Sequence, residues 1–323
     1  MVTENNGGSS YNPNFPLHLN IHPSTIPTAH SATFADAATL DAQFGCAAQE
    51  ASILQYGIAG RVWEASYAMI LYIQPPQNIE FDPPFINTDR TCTSTKYSML
   101  ELGSGTGLVA STLLKLLDPA RDHIIVTDLP EVCPLLEANL RPVSLHADVS
   151  RSSAVTIMPL SWGNYYDVLN LPKLTSLTHI ICSDLVYFPD LMGPLLRSLL
   201  HLSSPPFSTP SAAYAGQGNP TVIISYKLRS LVKETSFWSA FGLWFAFVPV
   251  VAREISENGE WTRFGSDSDD TTFIFVAHRR PESFDWNIPL LDEQLLAGTG
   301  AHGTDSPKGD DTFETLLFMA LDQ

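Results

Sequence analysis

Positive charge is the first thing this sequence lacks. Seventeen Lys and Arg stand against 34 Asp and Glu, a formal net charge of −17 over 323 residues. A surface of that sign repels phosphate backbones and attracts basic partners, which argues against a nucleic-acid substrate. Cysteine is scarce as well, and Cys46, Cys92, Cys133 and Cys182 form no CxxC and no Cys/His ligand spacing. No metal site is expected, and free thiols in a reducing compartment fit best. The stretch MVTENNGGSSYNPN has no basic-then-apolar build of a secretory leader, so the expected location is the cytoplasm or nucleus. One run, TSFWSAFGLWFAFVPVVA over 235–252, carries no charge at a length close to a bilayer span. Pro249 and the β-branched VPVV fit an amphipathic helix followed by a strand, so no membrane span is expected there. No internal repeat is found.

What is present suits one large α/β domain, since 44% of the residues are hydrophobic and only 16% are charged. Residues 1–49 read as an N-terminal extension, with an Ala-rich helix over 34–50 and FPLHLNIH able to form a short edge strand. VWEASYAMILYI, 62–73, predicts a helix that stops before Pro75 and Pro76, and a long polar connection follows to Tyr97. From there short apolar runs alternate with helical patterns over a domain spanning 50–280. The strand candidates are 98–102, 124–128, 157–162, 179–184, 221–226, 247–255 and 271–279. Such alternation predicts a Rossmann-like, doubly wound seven-stranded sheet, mostly parallel. The last two candidates are joined by a segment too short and polar for a crossover helix, which predicts an antiparallel hairpin at one sheet edge. Residues 203–220 read as a mobile low-complexity loop. From Pro281 onward nine acids face one base, Lys308, which predicts an acidic tail over 281–323, disordered in part.

The clearest chemical signal is MLELGSGTGLVAS, 99–111, where a strand runs into Gly103, Gly105 and Gly107 and then into an apolar helix. Alternating glycines let a backbone approach a ligand and present amides at a helix N-terminus. A dinucleotide fingerprint would need a third glycine where Leu108 stands, and no phosphate loop with Lys-Ser/Thr is present. The next strand ends on Asp128, 21 residues after Gly107, where an acid can accept hydrogen bonds from both ribose hydroxyls or simply cap the following helix. Trp63 and Trp162 can be core residues or ring-stacking ones, and Trp162 ends the third strand candidate at the ligand-facing height of such a sheet. Asp184 and Tyr187 close the fourth, with a helix starting at Pro189; an acid there can be a cap or a reacting group. Tyr226, Lys227, Arg229, Lys233 and Glu234 follow the fifth strand at the same end, as pocket residues or a solvated loop.

The GxGxG turn with Glu101 two positions before it resembles the cofactor motif of seven-strand S-adenosylmethionine-dependent methyltransferases. GRVWEA, LELGSGTG, VTDLPE, LSWG and SDLVY, in that order, look like methyltransferase family 16, which includes protein-lysine methyltransferases of chaperones and translation elongation factors. The resemblance implies that Trp63, Glu101, Gly103, Ser104, Gly105, Gly107, Asp128, Trp162 and Ser183 contact S-adenosylmethionine. It implies that Asp184 and Tyr187 are the acid-x-x-Tyr motif beside the methyl group, with Asp184 able to receive an incoming ammonium. The expected protein is a monomeric lysine methyltransferase drawing in a basic segment of a protein substrate. A small-molecule or protein-arginine methyltransferase on the same fold, or a non-catalytic binding protein, stays open on these residues.

Overall fold

The computed structural model describes residues 14–16, 18–25, 37–86, 96–145, 154–172, 176–208, 218–255, 259–264 and 271–321. Five short, apolar strands lie parallel: β2 (Ser98–Leu102), β3 (His123–Asp128), β4 (Val155–Pro159), β5 (His179–Ser183) and β6 (Thr221–Lys227). All five residues of β2 are buried, as expected of a strand covered on both faces. With β7 (Phe245–Pro249) and β10 (Thr272–Arg279) the sheet order is β4-β3-β2-β5-β6-β10-β7. The chain moves outward from β2 through β3 to β4, then returns to the other side of β2 to lay down β5 and β6. The crevice where that direction reverses, beyond the carboxyl ends of β2 and β5, is where a sheet of this kind holds ligands.

Helices fill the crossovers where the 3.6-residue apolar spacing predicts them. α3 (Glu64–Ile73), α4 (Leu108–Leu116) and α5 (Cys133–Leu145) belong with one face, whose core includes Met69, Met99, Leu113, Ile124 and Leu136. The other face is covered by α6 (Tyr165–Leu169), α7 (Pro189–Leu202) and α8 (Leu231–Trp244), around Leu100, Leu196, Trp238 and Phe241. The uncharged run at 235–252 divides between α8 and β7, and no helix among the described residues is long and apolar enough to cross a membrane. Cys46, Cys133 and Cys182 are free thiols; Cys92 lies outside the described residues.

The antiparallel pair at one sheet edge stands as expected: β7 is outermost, and β10 lies between it and β6, antiparallel to both. Several other expectations are corrected. The run at 247–255 breaks at Val250. Pro249, which has no N–H to donate, ends β7, and Val251–Glu254 (β8) turns into a second sheet with Ile79–Asp82 (β1) and Thr262–Arg263 (β9). β1 lies inside the segment read as a plain connection; four residues between prolines leave little periodicity to read. Within 15–22 the described residues form no strand. Instead Ser24 is stitched to the domain by buried Gln49, whose Oε1 accepts from Ser24 N (3.0 Å) and Val62 N (3.1 Å) while its Nε2 donates to Ser24 O (3.0 Å). The helix expected over 34–50 is two, α1 (Ala37–Phe44) and α2 (Cys46–Tyr56), hinged at Gly45. Of the 203–220 loop, residues 209–217 lie outside the described residues.

The segment after Pro281 is the largest departure, because it packs. α9 (Asp292–Leu296) and α10 (Thr312–Leu321) join α7 and α8 on one face of the sheet, with Leu295, Ala301 and Phe313 fully buried. Phe313 stacks on Trp238 at 4.8 Å between ring centroids and 10° between planes. Arg197 of α7 donates to Asp292 Oδ1 (2.8 Å) and to Pro289 O (2.6 Å). Composition averages these few anchors away beneath the acids around them. Phe313→Ala should therefore cost about 3–5 kcal/mol, the usual range for a buried phenylalanine. A urea titration checks this, and unchanged stability would mean the segment is peripheral.

Candidate active site

The turn after β2 is built on left-handed backbone. Gly103, Gly105 and Gly107 have φ of 56°, 53° and 81°, a region that side chains other than glycine rarely occupy. A Cβ on Gly103 would lie 2.8 Å from both Leu185 and Trp162, and one on Gly105 would lie 3.2 Å from the carbonyl of Ala59. The first two glycines thus keep a narrow passage open. Gly107 does something else: it precedes α4 and faces Leu136 and Leu140, so it shapes the helix start and does not line the cleft.

Two acids stand beneath this turn. Asp128, at the end of β3, accepts from Gly105 N on Oδ2 (2.7 Å) and from Leu129 N on Oδ1 (2.7 Å). Burial pushes its carboxyl up to about 6 despite these two N–H donors. Asp128 is therefore more than a helix cap, since it ties the glycine turn to the neighbouring strand and still lines the cleft. Glu101 on β2 is 2% exposed, and burial with Asp128 nearby pushes its carboxyl up to about 8. Its Oε2 and the hydroxyl of Ser104 are buried without a well-formed hydrogen bond among the described residues, although the hydroxyl stands near enough to Glu101 to favour its charged form. Both line a chamber of ≈ 300 Å³ that shares Trp63, Gly103, Gly105 and Ser183 with the main cleft. Buried polar atoms short of hydrogen bonds are costly, and here they converge on one space.

The main cleft holds ≈ 970 Å³ and is lined by Trp63, Gly103, Gly105, Asp128, Trp162, Ser183, Asp184 and Tyr187. Trp162 sits on a turn held from both sides, with Ser161 N donating to Asp167 (2.9 Å) and Gly163 N to Ser198 Oγ (2.7 Å). Trp63 donates Nε1–H to Ile58 O (2.9 Å). Its ring is parallel to that of Tyr187, 6.5 Å away at 8°, while Trp162 meets Tyr187 edge-on at 6.4 Å. Ser183 belongs to a hydroxyl chain, accepting from Ser225 (3.1 Å) and donating to Ser66 (3.0 Å). Burial, with Asp128 and Asp184 nearby, raises the Tyr187 phenol above its ordinary value, so it keeps its proton.

Asp184 lies deep beside the cleft. Its φ is 60°, and its side chain is wholly buried. It is no helix cap, because α7 begins at Pro189 behind Phe188. Arg229 donates Nη1–H to Oδ1 (2.7 Å) and Nη2–H to Oδ2 (2.6 Å), and Ala65 N approaches Oδ2 at 3.5 Å. Of Tyr226, Lys227, Arg229, Lys233 and Glu234, only Arg229 hydrogen-bonds to this acid. Tyr226 is buried in an aromatic cluster and donates to Glu234, whose carboxylate accepts from Arg229 N and Ser230 N (3.2 and 3.1 Å). Ten of the eleven sequence candidates line the two connected spaces, and Gly107 alone stands back. The cleft also includes Asn14, Ile58 and Ala59, brought in by the arm and the turn before Trp63, which no local motif announces.

A family model described as lysine methyltransferase matches residues 48–240, a span that includes all eleven candidates. Protein N-lysine methyltransferase METTL21A of Xenopus tropicalis is 26% identical over 150 residues, covering 46% of this chain and 58% of that protein. Protein-lysine N-methyltransferase EEF2KMT of Homo sapiens is 28% identical over 190 residues, covering 56% of this chain and 49% of that one. The chain thus spans about half the length of the curated relatives it matches. Among solved structures, the delta-N METTL16 MTase domain aligns with a TM-score of 0.37 at 8% identity, covering 66% of this chain and 81% of that one.

Glu101 makes the site's cost measurable. Its carboxyl holds a proton to about 8 in the folded chain against an ordinary 4.5, so the stability it contributes is full below 4.5 and is lost as pH rises toward 8. Glu101→Gln removes that dependence. Without ligand, the variant should melt above the unaltered protein at pH 8 and close to it at pH 4.5, as read by calorimetry; equal melting at both would mean Glu101 is hydrated.

Proposed function

The chain belongs to the lysine methyltransferase family, and on that premise we propose that it transfers methyl groups from S-adenosylmethionine to a lysine of a non-histone protein, such as a chaperone or translation factor. The observation that carries this reading is the pair of buried atoms without a well-formed hydrogen bond, Glu101 Oε2 and Ser104 Oγ, beside a glycine passage at the sheet's reversal point. These residues fit the cofactor on chemical grounds. A buried carboxylate suits a ligand bearing an ammonium and a sulfonium, Asp128 suits a ribose diol, and Trp162 offers an aromatic face.

S-adenosylmethionine, when bound, supplies an electrophilic methyl group on a positively charged sulfur. The chain's own task is then to orient and to exclude water. Gly103 and Gly105 leave room for close backbone approach, while Glu101, Ser104 and Asp128 hold polar ends in place. Leu160, Leu185, Leu191, Trp63 and Trp162 give the cleft apolar walls. Such walls disfavour the charged form of a lysine, whose amine ordinarily titrates near about 10.4, and so favour the nucleophile. Tyr187, protonated and lining the cleft, can hold a hydrogen bond to that amine. No dedicated strong base is required, because alignment of the amine with the departing sulfur is the main demand. The net charge of −17 favours a basic target segment. We place the activity in the cytoplasm or nucleus, exerted by a monomer.

Calorimetric titration with S-adenosylmethionine should show one site per chain. Gly103→Ala should weaken it by more than about tenfold, since the added methyl both clashes and strains a left-handed backbone. Tritium from the labelled cofactor should appear in a protein band of a lysate, on methyl-lysine by mass spectrometry. Label confined to small molecules, or to arginine, would overturn the assignment.

A further inference from the structure

Arg229 has no part in the motifs that single out the cleft, yet it joins three of its walls. It leaves the loop after β6, where its Nη1 donates to Lys227 O (3.1 Å) and its backbone N–H is accepted by Glu234. Its two Nη groups grip both oxygens of Asp184, at the end of β5. Nη2 also lies 3.4 Å from Glu64 on the first turn of α3, and the guanidinium stands 5.4 Å from the ring centroid of Trp63. Glu64 in turn pairs with Arg61.

We propose that Arg229 is a positioning residue of the transfer site: it takes up the Asp184 carboxylate, fixes the turn that carries Tyr187 against Trp63, and closes that acid to an incoming ammonium. This rests on the methyl-transfer reading above. The Asp184 side chain is 0% exposed, so an amine could reach it only by displacing a two-pronged guanidinium from a buried partner. The Tyr187 hydroxyl, by contrast, makes no hydrogen bond among the described residues and stands three positions along the same turn. Acceptor recognition then falls to Tyr187, and Asp184 acts through it. The left-handed backbone at Asp184 agrees with this role, since such a conformation persists where surrounding bonds hold it.

The test uses the full chain, labelled S-adenosylmethionine and the protein band it labels, with rates read in single turnover. Arg229→Gln strands the buried Asp184 carboxylate and Asp184→Asn takes away the guanidinium's two-pronged partner; each should slow transfer by about 100-fold, the scale of a small misplacement of reacting groups. The double variant Asp184→Asn/Arg229→Gln replaces the pair by two amides that can bond to each other, and should recover to within about tenfold of the unaltered rate. Arg229→Lys keeps the charge without the fork and guards against loss of folding in the other variants; it should lower kcat while KM for the acceptor stays unchanged. A double variant no better than Asp184→Asn, or an acceptor KM raised by Arg229→Lys at unchanged kcat, would overturn the positioning role. No transfer by the unaltered chain would instead sink the methyl-transfer reading, and this inference with it.

Discussion

The cleft depends on the pairing of β2 with β5, two parallel neighbours whose chains leave toward opposite ends of the sheet. Because the connections diverge, they leave a crevice above the seam, and turns from both strands line it. The glycine turn comes from one strand and the Ser183–Tyr187 turn from the other. Asp128 and Trp162 follow from β3 and β4 on one side, Arg229 from β6 on the other. The seam itself is closed by the backbone ladder of two parallel strands, so its geometry is set by the stiffest part of the chain. Trp63 and Tyr187 then line a space whose floor the strands have already determined.

That frame carries a cost in buried acid. Glu101 and Asp128 both lie where water is excluded, and both resist ionisation. A neutral side chain in place of Glu101 would stabilise the empty fold above neutral pH, whereas Asp128 also supplies the acceptor for two backbone N–H groups. Their presence is the kind of local conflict expected where binding, and not packing, decides the residue. The Asp184–Arg229 pair is a different case: its charges are matched in place, so it stiffens the site without waiting for a ligand.

What could be read in the sequence was whatever is written in a short span. Gly103 to Gly107, Asp128 at the end of its strand and Asp184 with Tyr187 are local patterns, and the parallel strands announced themselves by apolar runs of five or six residues. Relations between distant segments were not legible. The insertion of β10 between β6 and β7 depends on which edge is free when the strand arrives. The clamp on Asp184 joins residues 45 apart, and only the coincidence of an arginine beyond the next strand hinted at it. The segment after Pro281 was misjudged because a count of acids weighs every position equally, whereas Leu295, Ala301 and Phe313 act through burial alone. Asn14 enters the cleft from an arm with no periodicity.

The place of β10 in the sheet bears on how the chain is made. It is the last strand among the described residues and lies between two earlier ones, β6 and β7, so both present open edges until residues near 279 have left the ribosome. The aromatic surface of α8 waits longer, for Phe313. The earlier strands can pair as they emerge, but this side of the molecule is finished only after Phe313 has been added. During that interval its exposed strand edges are the surfaces a chaperone would have to shield.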